Sequence, residues 1–170
     1  MKARLPAAVL AAVLVVLQTS AGGPGGLFGL RLDLLLLFVL ATGMRRGETT
    51  GMSAGILLGF VQDTFSAGPP GLNVLTKGLL GFAAGSLRGQ LDCGNPNTQA
   101  IIAAVATLAE GLAQLALLQV FSAAPGLLAP LFGTVAPAAA AHGALLPAAD
   151  ASRRAVARWR LQRRAAVAGA

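Results

Sequence analysis

Residues 43–89 read GMRRGETTGMSAGILLGFVQDTFSAGPPGLNVLTKGLLGFAAGSLRG, with small or polar residues at every fourth position, twice over. The first stripe is Gly43, Gly47, Gly51, Gly55, Gly59 and Asp63. The second is Asn73, Lys77, Gly81, Gly85 and Gly89. Four helical residues overshoot one full revolution by about 40°, so each stripe stays on one side of its helix as a groove without side chains. Each groove carries polar groups at one end. In lipid, such grooves let two backbones approach closely, with a right-handed crossing near about −40°.

The rest of the chain fits that setting. Of its 170 residues 55% are hydrophobic and only 11% charged, with mean hydropathy +0.72. Soluble domains carry about 25% charged residues, so a water-soluble domain is a poor reading. The net charge of +7 raises the question of nucleic acid, but six of the thirteen basic residues crowd into the tail after Ser152. Basic residues gathered beside apolar spans suit a membrane surface better. Cys93 is the single cysteine, which excludes an internal disulfide and a thiol metal cluster.

Six apolar runs approach the roughly 17–20 residues of a crossing helix: 5–21, 27–44, 49–65, 71–87, 98–121 and 127–148. Gly/Pro-rich turns at 22–26, 66–71, 92–97 and 123–126 separate most of them. If the six alternate in direction, eleven basic residues fall on one side: Lys2, Arg4, Arg45, Arg46, Arg88, Arg153, Arg154, Arg158, Arg160, Arg163 and Arg164. Arg31 stands alone on the other, and Lys77 lies inside a span. The asymmetry predicts an all-α integral membrane protein with both termini cytoplasmic. Residues 1–150 form the six-helix domain and 151–170 a basic cytoplasmic tail. Lys2, Arg4, the first apolar run and Thr19-Ser20-Ala21 also permit a signal peptide, which leaves the remaining orientation unchanged.

Ionisable groups inside apolar spans are few and read as functional by default. Asp63, with Gln62 beside it, lies near the outer end of the third span; Asn73 and Lys77 lie in the outer half of the fourth; Glu110, Gln114 and Gln119 are in the fifth; His142 is in the sixth. The short turn between spans three and four makes them antiparallel neighbours. Asp63 is therefore expected to approach Lys77 or Asn73, as a fold staple or as a contact for a partner or ligand. Together Asp63, Asn73, Lys77 and Glu110 form the candidate intramembrane polar cluster. Glu110 and Gln114, four apart, serve an interhelical hydrogen bond or a cavity wall. His142, without a second metal ligand in range, reads as a packed histidine, and Arg31 with Asp33 as an interfacial anchor. Charge counting puts Gly43, Gly47 and Gly89 at or beyond the cytoplasmic ends. That leaves Gly51, Gly55, Gly59, Gly81 and Gly85 for helix packing, against each other or against a partner's helix.

No GxxxxGK[ST], HExxH, CxxC or GxSxG pattern occurs. One histidine and one cysteine offer little for acid–base or nucleophilic work. The expectation is no enzyme, no cofactor and no metal. The tail DASRRAVARWRLQRRAAVAGA (150–170) is rich in helix formers. Its Arg153, Arg154, Arg158, Arg160, Arg163 and Arg164 are expected to fix topology and touch anionic lipid, or else to bind a cytoplasmic partner.

Residues 51–92 resemble the rod shape-determining protein MreD family of bacteria, whose third and fourth helices carry a similar G-x-x-x-G-F-x-x-D-x-x-S-x-x-x-x-G run. Gly55, Gly59, Phe60, Asp63, Ser66 and Gly71 match it, followed by Leu75 and Gly81-Phe82. Residues 32–47, LDLLLLFVLATGMRRG, are similar to the family's second helix. The resemblance covers roughly residues 27–115. The chain departs from it in having no tyrosine and only 5% aromatic residues. It implies a non-enzymatic six-helix inner-membrane scaffold of the cell-elongation machinery. Such a scaffold associates with MreC, a single-span protein, and helps link MreB filaments to peptidoglycan synthases. It also implies a fold similar to the S components of energy-coupling factor transporters. Two other classes remain at this stage: an S-component-like vitamin-binding subunit, which the short, nearly uncharged outer loops disfavour, and a proton-linked carrier using Asp63 or Glu110. Nucleic acid is not an expected partner.

Overall fold

A computed structural model describes residues 32–66, 70–122 and 128–168, and every regular element among them is helical. The expected first span at 5–21, its signal-peptide alternative and Arg31 lie outside these residues. Helix α1 is Leu34–Arg46, α2 Glu48–Phe65 and α3 Leu72–Ser86, with a 3-10 turn at Leu87–Gly89. Helix α4 is Pro96–Ser122. A helical turn at Leu128–Pro130 and a π-helical turn at Leu131–Val135 lead into α5, Ala136–Ala168.

Local chemistry sets the boundaries. Asp33 precedes the apolar run of α1 and caps it, its Oδ1 accepting from Leu36 N at 2.9 Å. One residue, Gly47, joins α1 to α2 at φ 94°, a left-handed value that favours glycine. Asn95 caps α4 through Oδ1 to Asn97 N at 2.9 Å, with Pro96 at the first helical position, where its missing N–H costs nothing. Helix α5 runs through residue 150 without a break, so the basic tail is its direct continuation.

Helices α2 and α3 pack backbone to backbone. A β-carbon added at Gly51 would overlap the Gly81 carbonyl, one at Gly55 the Lys77 carbonyl, and one at Gly59 the Asn73 carbonyl. Thus the two stripes face each other. Gly43, expected beyond the groove, belongs to it: an added β-carbon would lie 2.6 Å from Gly81 O and 3.1 Å from Gly85 N. The single-residue link at Gly47 folds α1 back so tightly that its last turn joins the seam. By contrast, a β-carbon on Gly47 or Gly89 would meet nothing within 4 Å. An apolar core of Leu36, Leu37, Leu40, Met44, Ala84, Ile102, Ala103, Ala106 and Leu146 lies among α1, α3, α4 and α5.

Among the described residues, two stretches are long and apolar enough to cross a membrane, Pro96–Leu117 and Leu128–Arg163. With 13 and 15 residues, α1 and α3 fall short of a full crossing. The apolar run of α1 begins upstream of the described region, and α3 starts only after the left-handed Gly71.

Candidate functional site: a buried ion cluster

Lys77, on the seam face of α3, is fully buried, and its Nζ donates to Asp33 Oδ2 at 2.7 Å and to Glu110 Oε1. The two carboxylates come from the N-cap of α1 and the middle of α4. Gln62, from α2, donates through Nε2 to the same Asp33 Oδ2 at 3.0 Å. Helix α5 enters through His142, whose Nε2 accepts from Asp33 N at 3.0 Å. His142 Nδ1 lies 2.8 Å from Thr107 Oγ1, and that hydroxyl donates to Ala103 O at 2.7 Å. Since Nε2 is an acceptor and the threonine proton is already committed, the geometry assigns the proton to Nδ1 and leaves the imidazole neutral. One ammonium, two carboxylates, an amide and an imidazole therefore join the five described helices α1 to α5.

Asp63 stands apart. Its Oδ2 accepts from Gly71 N at 3.0 Å and Val74 N at 3.2 Å, and its Oδ1 from Asn73 N at 3.2 Å and Asn73 Nδ2 at 2.8 Å. The expected set of Asp63, Asn73, Lys77 and Glu110 thus separates into two pairs. Asp63 is occupied by the N–H groups that any helix start leaves without partners, and Lys77 turns instead toward the deeper acids. Asp33, expected to anchor at the interface with Arg31, points inward. The Gln114 side chain makes no hydrogen bond among the described residues. The buried oxygens Gln62 Oε1 and Asn73 Oδ1 have no hydrogen-bond partner among the described residues.

Sequence reasoning did not assign Asp33, Gln62, Thr107 or His142 to the cluster. Gln62 and His142 left only their polarity inside apolar spans, and Asp33, an acidic residue directly before an apolar run, carries the signal of a cap rather than of an ion pair. Among the described residues, no three of His, Cys, Asp and Glu gather as metal ligands. The chemistry on offer is electrostatic fastening. Burying charge is costly unless every member is paired, and here each ionised group has a partner on another helix.

The other described basic residues lie away from the cluster. Arg45 and Arg154 both donate to Asp150, and Arg163 stacks over the Trp159 ring at 4.3 Å. Arg153, Arg158 and Arg160 are exposed along α5; the Arg164 side chain is outside the described set. Cys93 is half-buried, and burial together with neighbouring Asp92 pushes its thiol up, away from a reactive thiolate.

A family model, rod shape-determining protein MreD, matches residues 4–129. This chain belongs to the MreD family. Membership brings a role in rod-shape determination, a place in the membrane, and a structural rather than catalytic family. No curated protein and no solved structure matches the chain. Asp33, Gln62, Lys77, Thr107 and Glu110 lie within the matched MreD region, whereas His142, Asp150 and the basic extension lie beyond it.

Proposed function

We propose that this MreD-family protein is a non-enzymatic scaffold of the cell-elongation machinery in the bacterial inner membrane, and that it docks the transmembrane helix of an MreC-like single-span protein. In this reading six helices cross the membrane, both termini are cytoplasmic, and the arrangement is similar to that of transporter S components. Peptidoglycan synthases outside and MreB filaments inside are the further partners. Arg153, Arg154, Arg158, Arg160, Arg163 and Arg164 hold the cytoplasmic surface against anionic lipid.

The observation that carries the reading is the internal use of both glycine grooves. They are filled by each other, so a partner's helix is left an outward surface, and in this reading it is that of α2 and α3. That surface is bulky and apolar: Leu57, Phe60, Leu75 and Leu79 are each at least 60% exposed. Large exposed apolar surface suits lipid or a docked helix. The buried cluster keeps the surface rigid.

Depletion in the native bacterium tests the role, with rounded cells expected; rod-shaped cells after full depletion would overturn it. Docking is tested by co-purification of the single-span partner with the Leu57→Ala/Leu79→Ala double variant. Lower recovery at unchanged membrane abundance is expected, and full recovery would remove α2–α3 as the docking surface.

A further inference from the structure

At the end opposite the ion cluster, α1, α4, α5 and the connection after α3 line an open cavity of about 440 Å³. Its wall carries Arg45, Arg88 and Arg154 against Asp92 and Asp150, a cationic excess. Asp150 organises the wall. One of its oxygens accepts from Arg45 Nη2; the other accepts from Arg154 Nε at 2.8 Å and Gln99 Nε2 at 3.1 Å. Arg154 is further fixed by Gly94 O at 2.8 Å. These bonds orient two guanidinium groups yet leave several N–H donors of each uncommitted. Arg88 forms no ion pair among the described residues. Gln99, only 5% exposed, lines the same cavity, and its Oε1 accepts no hydrogen bond among the described residues.

The wall thus offers guanidinium donors for an anion, and beside them an unfilled acceptor, Gln99 Oε1. A bare phosphate would leave that acceptor unpaired. A zwitterionic phosphoethanolamine would leave the excess charge unbalanced. An anionic phosphate bearing hydroxyl groups answers both. We propose that this cavity binds a glycerophosphate group, its phosphate on Arg45 and Arg88 and a hydroxyl donating to Gln99 Oε1. The group is found in the phosphatidylglycerol headgroup and in free glycerol phosphate. Arginines at the ends of apolar helices sit at headgroup depth, which favours the lipid.

The test uses the full chain, extracted in mild detergent from membranes containing phosphatidylglycerol and phosphatidylethanolamine, with retained lipid read by native mass spectrometry. Selective retention of phosphatidylglycerol is expected. Arg88→Ala should lower retention about fivefold, the effect of one basic residue near a headgroup. Arg46→Ala, at an exposed arginine outside the cavity wall, should leave it unchanged. A second arm adds glycerol phosphate to delipidated protein. A rise in melting temperature that Arg88→Ala removes, without lipid retention, would support the site and assign it to the soluble ligand. The proposal is overturned if glycerol phosphate has no effect and the two lipids are retained equally, or the two arginine variants lose lipid equally.

Discussion

Along the α2–α3 seam, contact is made by backbone, the glycines of α2 resting on carbonyls of α3; in the Asp33–Lys77–Glu110 cluster, it is made by side chains reaching between helices. The seam excludes everything but backbone, so it fails when an atom is added. The cluster gathers charge from which water is excluded, so it fails when an atom is removed. The two meet in one residue. The Lys77 carbonyl is the surface on which Gly55 rests, and the Lys77 ammonium is the centre of the cluster. Close approach of α3 to α2 therefore holds the lysine at the depth where both acids reach it.

The largest effect is expected at Lys77. Lys77→Ala leaves Asp33 and Glu110 facing each other without a cation. Breaking a buried pair in this way costs about 3–5 kcal/mol, so thermal unfolding of the detergent-purified protein should shift sharply downward. Replacing the whole set, Asp33→Asn with Lys77→Met and Glu110→Gln, should recover most of the loss, because a neutral cluster strands no charge. A Lys77→Ala protein as stable as the parent would show that the cluster fastens nothing.

Gly55→Val comes next. Its added carbons fall on the Lys77 carbonyl, which cannot move aside as a flexible side chain would. Overpacking of this kind costs about 1–3 kcal/mol. If the seam positions the lysine, the Gly55→Val/Lys77→Ala double variant should lose less than the two single losses combined. Strict additivity in the same unfolding assay would separate seam from cluster.

Asp63→Ala removes the acceptor of the first N–H groups of α3 while leaving seam and cluster intact. A lost N-cap costs about 1 kcal/mol. Asp63→Asn keeps an acceptor and should recover part of it. Hydrogen exchange confined to residues 71–74 would report the loss. A loss as large as that of Lys77→Ala would mean that the two polar groups act as one cluster after all.

The seam was legible in the sequence because every member obeys one local rule, a spacing of four, and because two adjacent segments obey it with a short turn between them. Even there, Gly43 was misplaced, since only the one-residue reversal at Gly47 brings the end of α1 onto α3. The cluster was not legible because each element supplies one or two members and no local spacing relates them. Lys77 and Glu110 announced themselves by being charged in apolar runs; their meeting did not. Asp33 read as an interfacial anchor beside Arg31, and His142 as an isolated packed histidine. Pairings between helices that carry no periodic signal need the fold itself.

The smallest effect makes the sharpest comparison, because it stays on one helix. Gly78 and Gly81 are three residues apart on α3. A β-carbon at Gly81 would overlap the Gly51 carbonyl, whereas one at Gly78 would approach only Ile56 Cγ1, at 3.2 Å, in a side chain that can rotate away. Glycine in a helix interior costs about 1 kcal/mol relative to alanine, so Gly78→Ala should be neutral or slightly stabilising. Gly81→Ala should lose stability despite the same gain in propensity. If both variants moved the melting temperature equally, the glycines of α3 would be acting through helix propensity alone, and direct backbone contact would not be what holds the seam.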